Sequence, residues 1–211
     1  MRIYKFGGAS VKDAEGVRNL ARVLQATGTE KTFLVVSAMG KMTNAMEAVV
    51  DAYFDEKDAV TAALESVEAF HLEILRELFP SESHPVYLKL KALFNEVRGF
   101  LAWNKSPKYA FVYDQVVGYG ELLSTLIISE YLNQEGIANS LLDIRRYLKT
   151  DANYRDVSVD WKKTQEAISG LAGSRELYVT QGFLGSDENN FTTTLGREGS
   201  DYTAAIIAYC L

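Results

Sequence analysis

The chain predicts an α/β fold with a mainly parallel sheet and a helical insertion. Three observations carry this expectation. A strand, a helix and a second strand follow one another within residues 2–37. A charged, Leu/Glu/Lys-rich stretch then runs from about 52 to 105 with a helical pattern. After it, helices and buried strands alternate again to the last residue.

Arg2–Phe6 reads as the opening strand, and Lys12–Gln25 as a helix with Val17, Leu20, Ala21 and Leu24 on its apolar face. Thr32–Ser37 is the kind of apolar run found in buried parallel strands. Together they form a βαβ unit, whose crossover should be right-handed. Met42–Asp51 begins another helix. The 52–105 stretch holds Pro80 and Pro85, which mark a turn, and both histidines, His71 and His84. It is expected to be a solvated scaffold without chemistry. Gly120–Asn133 and Asp160–Ala172 read as helices, and Ser140–Leu142 and Leu177–Thr180 as strands. Leu184–Leu195 reads as a hairpin with Gly185-Ser186-Asp187 and Asn189-Asn190 as turn residues. Ser200–Leu211 reads as a final helix with Ser200 as its N-cap. No cap or strand follows that helix, so the sheet is expected to be cut short at its C-terminal end.

The bulk numbers exclude several classes. A net charge of −6 leaves no basic stretch for nucleic acid. The single cysteine, Cys210, allows neither an internal disulfide nor a CxxC metal site. No run approaches the ~18 apolar residues of a membrane span, and no secretory signal is visible. A cytoplasmic location is the simplest expectation.

Four segments could carry chemistry. Lys5-Phe6-Gly7-Gly8-Ala9-Ser10 places a cation, two glycines and a hydroxyl at a strand end. Backbone N–H groups there could close on a phosphate while Lys5 neutralises it; the alternative is a tight turn with an exposed lysine. Gly196-Arg197-Glu198-Gly199-Ser200-Asp201 lies before a helix N-terminus, with Arg197 suited to a carboxylate or phosphate. Asp201 could orient a lysine or a metal-bound water, or simply favour the helix dipole. Gly118-Tyr119-Gly120-Glu121 begins like a dinucleotide fingerprint but has Leu123 at the last glycine position, so that fingerprint is rejected. Glu121 could still hold a substrate ammonium group. Ser37-Ala38-Met39-Gly40 with Thr43-Asn44 forms another strand-end loop. Open α/β sheets bind ligands outside the carboxyl ends of their strands, where such loops converge. No Walker A pattern is present. The histidines and the cysteine lie away from these loops, which argues against a His-dependent triad. Phosphoryl transfer to a carboxylate needs no such base, because the acceptor is already ionised at neutral pH.

These segments resemble the signatures of aspartokinases, within the amino-acid kinase family. Lys5–Ser10 is similar to the opening KFGGTS, and Ser37–Asn44 to the S-A-x-x-x-x-T-N loop. Gly120-Glu121-Leu122-Leu123-Ser124 is similar to the GE-hydrophobic-hydrophobic-S helix start. Gln181-Gly182-Phe183 and Thr192–Tyr202 are similar to QGF and TTTLGRxGSDY. The resemblance implies a three-layer αβα amino-acid kinase fold, of which residues 1–211 would be the N-terminal, aspartate-binding portion of the catalytic domain. It implies transfer of the γ-phosphoryl of ATP, as the Mg2+ complex, to the side-chain carboxylate of L-aspartate, giving 4-phospho-L-aspartate on the route to lysine, threonine and methionine.

By motif, the resemblance gives Lys5, Gly7, Gly8 and Ser10 the phosphate, with Asp201 organising the lysine. Ser37, Thr43, Glu121, Arg197 and Ser200 would hold aspartate. No resident metal site is implied. Ala9 replaces the usual threonine, and Glu198 adds a charge beside an anion site. The T-D-x-x-G-[VI] segment and much of the nucleotide site are expected beyond Leu211, leaving this chain alone with little activity. The alternatives are another carboxylate acceptor, or a non-catalytic relative that only binds amino acid or partner. An unpaired sheet edge makes a homo-oligomer the expected state.

Overall fold

The computed structural model describes residues 1–173 and 176–211. A four-stranded, fully parallel sheet runs in the order β1-β2-β4-β3. Its strands are β1 (Arg2–Phe6), β2 (Thr32–Val36), β3 (Ser140–Leu142) and β4 (Leu177–Gln181). Every residue of β2 is buried, because this strand is central and covered on both faces. Register pairs Lys5 with Val35 and Val35 with Thr180, so the strands end level with one another.

Helix α1 (Ala14–Thr27) connects β1 to β2; Asp13 caps it by accepting from Gly16 N at 2.8 Å. Helix α2 (Met42–Asp55) follows β2, then α3 (Val60–Leu78), α4 (Pro85–Trp103), α5 (Tyr109–Val117) and α6 (Tyr119–Gln134) lead to β3. Helix α7 (Trp161–Ser169) returns the chain to β4. The β1–β2 and β2–β3 crossovers run in one direction along the sheet and β3–β4 in the other. Right-handed connections therefore put α1 and α6 on one face and α7 on the opposite face. The packing agrees: α1 touches α6, whereas α7 touches the last helix, α8 (Gly199–Cys210), which lies on β1 and β2. These are the three layers expected of the fold.

A separate antiparallel pair, β5 (Leu184–Ser186) and β6 (Thr192–Thr194), forms the anticipated hairpin, but Gly185 and Ser186 are not turn residues: they pair with Thr193 and Thr192, and the turn lies beyond them. Among the described residues, no helix is long and apolar enough to cross a membrane.

Three other expectations change. The helical stretch is not a solvated scaffold. Its Leu64, Val67, Leu75, Phe79, Leu90 and Phe94 are buried in the same core as the strands. Its charges lie on the outward helix faces, while the inward faces carry leucine and phenylalanine. Helix α5 was not anticipated. Ser200 is not the N-cap of α8: the helix begins one residue earlier, after Glu198, whose backbone is left-handed at φ 57°.

Candidate active site

The level strand ends deliver three loops to one edge of the sheet. Lys5 leads into Gly7 and Gly8, β2 into Ser37, and β4 into Gly182. Their backbones touch. Gly40 N donates to Gly8 O at 3.0 Å, Ser37 N to Phe6 O at 3.1 Å, and Gly182 N to Val36 O at 2.9 Å. A Cβ at position 8 would lie 2.7 Å from the carbonyl oxygens of both Ala38 and Gly40. A Cβ at position 182 would lie 2.4 Å from Ser200 Cβ. Both glycines are therefore demanded by close approach, Gly8 between two loops and Gly182 beneath the start of α8.

A cleft of about 540 Å³ opens above this platform. Seven of the ten residues singled out in the sequence line it: Lys5, Ser37, Thr43, Glu121, Arg197, Ser200 and Asp201. Gly7 lies under the lysine, with the ideal Cβ direction 3.2 Å from Lys5 Nζ. Gly8 lies behind the loop contact. Ser10 is not brought to the cleft. It sits in a short 3-10 turn, Gly8–Val11, with its N–H donated to Gly7 O at 2.9 Å. A phosphate role for Ser10 therefore has no support in the observed geometry.

Lys5 Nζ donates to Asp201 Oδ2 at 2.9 Å, bridging β1 and the first turn of α8. The pair is partly exposed at the cleft, so the ammonium keeps donors for an incoming anion. The start of α8 adds the positive end of the helix, although the N–H groups of Gly199 and Asp201 already donate to Gly196 O and Glu198 O.

Glu121 is the most perturbed group in the cleft. It is buried on the first turn of α6, where Oε1 accepts from Ala38 N at 3.2 Å. Oε2 has no hydrogen-bond partner. Burial pushes the carboxyl up to about 8, against the smaller effect of the Ala38 N–H. The neighbouring turn of α6 is locked to the β2 loop, since Ser124 Oγ donates to Ser37 O at 2.8 Å. Gln181 extends the tie, donating to Thr125 Oγ1 at 2.8 Å and accepting from Ile144 N at 3.1 Å. A buried acid with one vacant oxygen at a cleft is suited to a cationic ligand group.

The sequence did not flag Asn44, Tyr113, Arg155, Phe183 and Thr194 as site residues, yet all line the cleft. Asn44 was quoted within its loop, so its place follows from Thr43. Tyr113 and Asp114 belong to α5, whose apolar residues show no clear period. Asp114 is buried and holds the far wall together. Its Oδ1 accepts from Thr194 Oγ1 at 2.7 Å, and its Oδ2 from Thr194 N at 3.0 Å and Arg155 N at 3.2 Å. Burial outweighs these bonds and pushes its carboxyl up to about 6. Arg155 comes from the loop between β3 and α7, which carries no recognisable signature.

Comparison with known proteins follows the same lines. The model of the amino acid kinase family matches residues 1–211. Lysine-sensitive aspartokinase 3 of Escherichia coli is 30% identical over 217 residues, covering 99% of this chain and 46% of that protein. Bifunctional aspartokinase/homoserine dehydrogenase 1 of Zea mays is 29% identical, covering 97% of this chain and 23% of that protein. Among solved structures, E. coli aspartokinase III in complex with lysine and aspartate has a TM-score of 0.87 at 27% identity. It covers 100% of this chain and 47% of its own. The same enzyme with aspartate and ADP gives 0.86. The chain thus spans about half the length of these E. coli relatives. Sequence signatures, parallel-sheet topology and cleft geometry agree: the chain belongs to the amino acid kinase family.

Proposed function

We propose that the cleft is the acceptor and phosphoryl site of an aspartate kinase, transferring the γ-phosphoryl of ATP to the side-chain carboxylate of L-aspartate. The observation that carries this reading is the pairing of two chemistries in one cleft. The Lys5–Asp201 pair and the α8 N-terminus suit a phosphoryl group, while Glu121, with its vacant Oε2, and Arg197 suit a zwitterionic amino acid. The E. coli relative with aspartate and ADP supports the same pairing by similarity.

In this reading Glu121 takes the ammonium group of aspartate, and Arg197 with Thr43 and Ser200 takes its carboxylates. Lys5 neutralises the phosphoryl oxygens, and Asp201 fixes the direction of its ammonium. The acceptor carboxylate needs no base, so the protein contributes orientation and charge neutralisation. Among the described residues, no group of three or more His, Cys, Asp or Glu could hold a metal ion. Magnesium would enter on the phosphates of its nucleotide, which is how that ion is commonly held.

Residues 1–211 as a separate polypeptide would bind aspartate and transfer little, because they span only about half of the E. coli relatives they match. A hydroxylamine trap for the acyl phosphate, with aspartate and MgATP, tests the transfer. A longer protein containing this sequence should give aspartyl hydroxamate, and Lys5→Ala or Arg197→Ala should lower the rate by about 10³-fold or more. Unchanged rates in both variants would rule this assignment out.

A further inference from the structure

Arg155 occupies a backbone conformation that arginine rarely adopts. Its φ is 70°, in the left-handed region where glycine is free of strain. The surrounding structure holds it there. Its N–H donates to the buried Asp114, and the preceding Tyr154 is anchored through its hydroxyl to Asp187 at 2.9 Å. A non-glycine residue forced into this conformation by several neighbours is a candidate for a functional position.

What the side chain touches gives the direction. The guanidinium lies 4.2 Å from the Tyr113 ring centroid, stacked on the wall of the cleft. Its ion pair with Glu47 on α2 is long, 3.5 Å, and both side chains are partly exposed. Glu47 follows Thr43 by four residues, so the two share a face of α2. Arg155 therefore stands one helical turn from Thr43, at the rim of the cleft that both line. If the loop alone mattered, glycine would serve it better. The arginine head has a platform in Tyr113, which lines the cleft with it, and a long ion pair with Glu47.

We infer that Arg155 is a substrate-binding residue that grips the non-reacting α-carboxylate of the acceptor amino acid, and so helps to select it. This rests on the acceptor-site reading above. The reacting carboxylate belongs near Lys5 and Asp201, on the wall built by β1 and α8. Arg155 stands against α5 and α2 beside Thr43, with its carbonyl oxygen next to Gly196, and the end of a short dicarboxylic acid that is not at Lys5 would lie beside it. The Tyr113 face pre-orients the planar fork for a bidentate contact.

Calorimetric titration of the 211-residue chain with L-aspartate and with its α-amide, L-isoasparagine, tests this. Arg155→Gly should weaken aspartate binding by about 10-fold or more and leave the α-amide nearly unchanged. Arg155→Lys should restore part of the loss. Arg155→Gln, which keeps the stem over Tyr113, gives the same comparison if the glycine variant does not fold. Equal losses for both ligands, or an unchanged affinity for aspartate, overturn the inference while leaving the acceptor site standing. Failure of the unsubstituted chain to bind aspartate at all removes the acceptor-site reading and this inference together.

Discussion

Glu121 in the cleft and His71 in the helical stretch make an instructive pair. Both are buried titratable residues, and each leaves one polar atom without a partner, Oε2 and Nε2. Both have pKa values moved by burial toward the neutral form, Glu121 up to about 8 and His71 down to about 4. Their surroundings differ. His71 donates from Nδ1 to Val67 O at 2.8 Å, one turn back in α3, and lies edge-on to Phe70. Its vacant nitrogen faces side chains of the core. The vacant oxygen of Glu121 belongs to a residue that lines an open cleft beside Thr43 and Arg197. An unsatisfied buried group costs on the order of 1–3 kcal/mol. A ligand can recover that cost only where it can reach the atom. The same local defect is thus open to a ligand in one place and a tolerated packing compromise in the other.

The largest effect should come from crowding the platform beneath the cleft. Gly182→Ala would force a Cβ against Ser200, and we expect a loss of about 3 kcal/mol in stability by urea denaturation. The contrast in the helical stretch is Gly99, inside α4, where an added Cβ meets nothing within 4 Å.

Next is Glu121→Gln. It keeps an acceptor for Ala38 N but removes the charge, so aspartate affinity should fall by about 2 kcal/mol. The pH dependence sharpens this point. The folded pKa of Glu121, about 8, exceeds its ordinary 4.5. Its contribution to stability is therefore fully present below the unfolded value and is lost as pH rises through 8. Glu121→Gln should flatten that decline, seen as a melting temperature that falls less between roughly pH 6 and 9. In the unsubstituted chain, aspartate binding near neutral pH should release a proton, measurable by calorimetry in buffers of different ionisation enthalpy. Binding without proton release would place the ammonium elsewhere.

Gly99→Ala should stabilise by up to about 1 kcal/mol, through helix propensity alone. The smallest change is expected for His71→Leu, within about 1 kcal/mol at neutral pH. Its signature lies in acid. His71 titrates at about 4 when folded against 6.5 ordinarily, so its contribution is present above 6.5 and is lost as pH falls through 4. The leucine variant should resist acid better than the parent over that interval. An aspartate affinity that changes with this substitution would break the contrast between the two regions.

Strands β1, β2 and β4 were legible because their runs stop at Gly7, Ser37 and Gly182, and Ser140–Leu142, between Asn139 and Asp143, was read to the residue. The motif residues were legible because their types matter locally, whether as glycine for close approach or as charge beside a helix start. Helix α5 was not, since Tyr109–Val117 packs apolar residues around much of its circumference and shows no clear period. Asp114 and Tyr113 were lost with it. Arg155 was lost for another reason: its meaning lies in a backbone angle and in contacts with α2 and α5, none of which is written near it in the chain. The burial of the helical stretch was misread because its surface charge is abundant, and composition averages over faces.

The double approach at Gly8 has a consequence for how such a site can change over time. Position 8 faces the backbones of Ala38 and Gly40 with no side chain between them. A variant that introduces a side chain at position 8 must re-route the 38–40 backbone, and with it Ser37 and Thr43. The Gly7–Gly8 loop and the 37–43 loop are therefore a single heritable unit. In the proposed acceptor site, changes of specificity would come more readily at Tyr113 and Arg155, which line the same cleft and are not held by that contact.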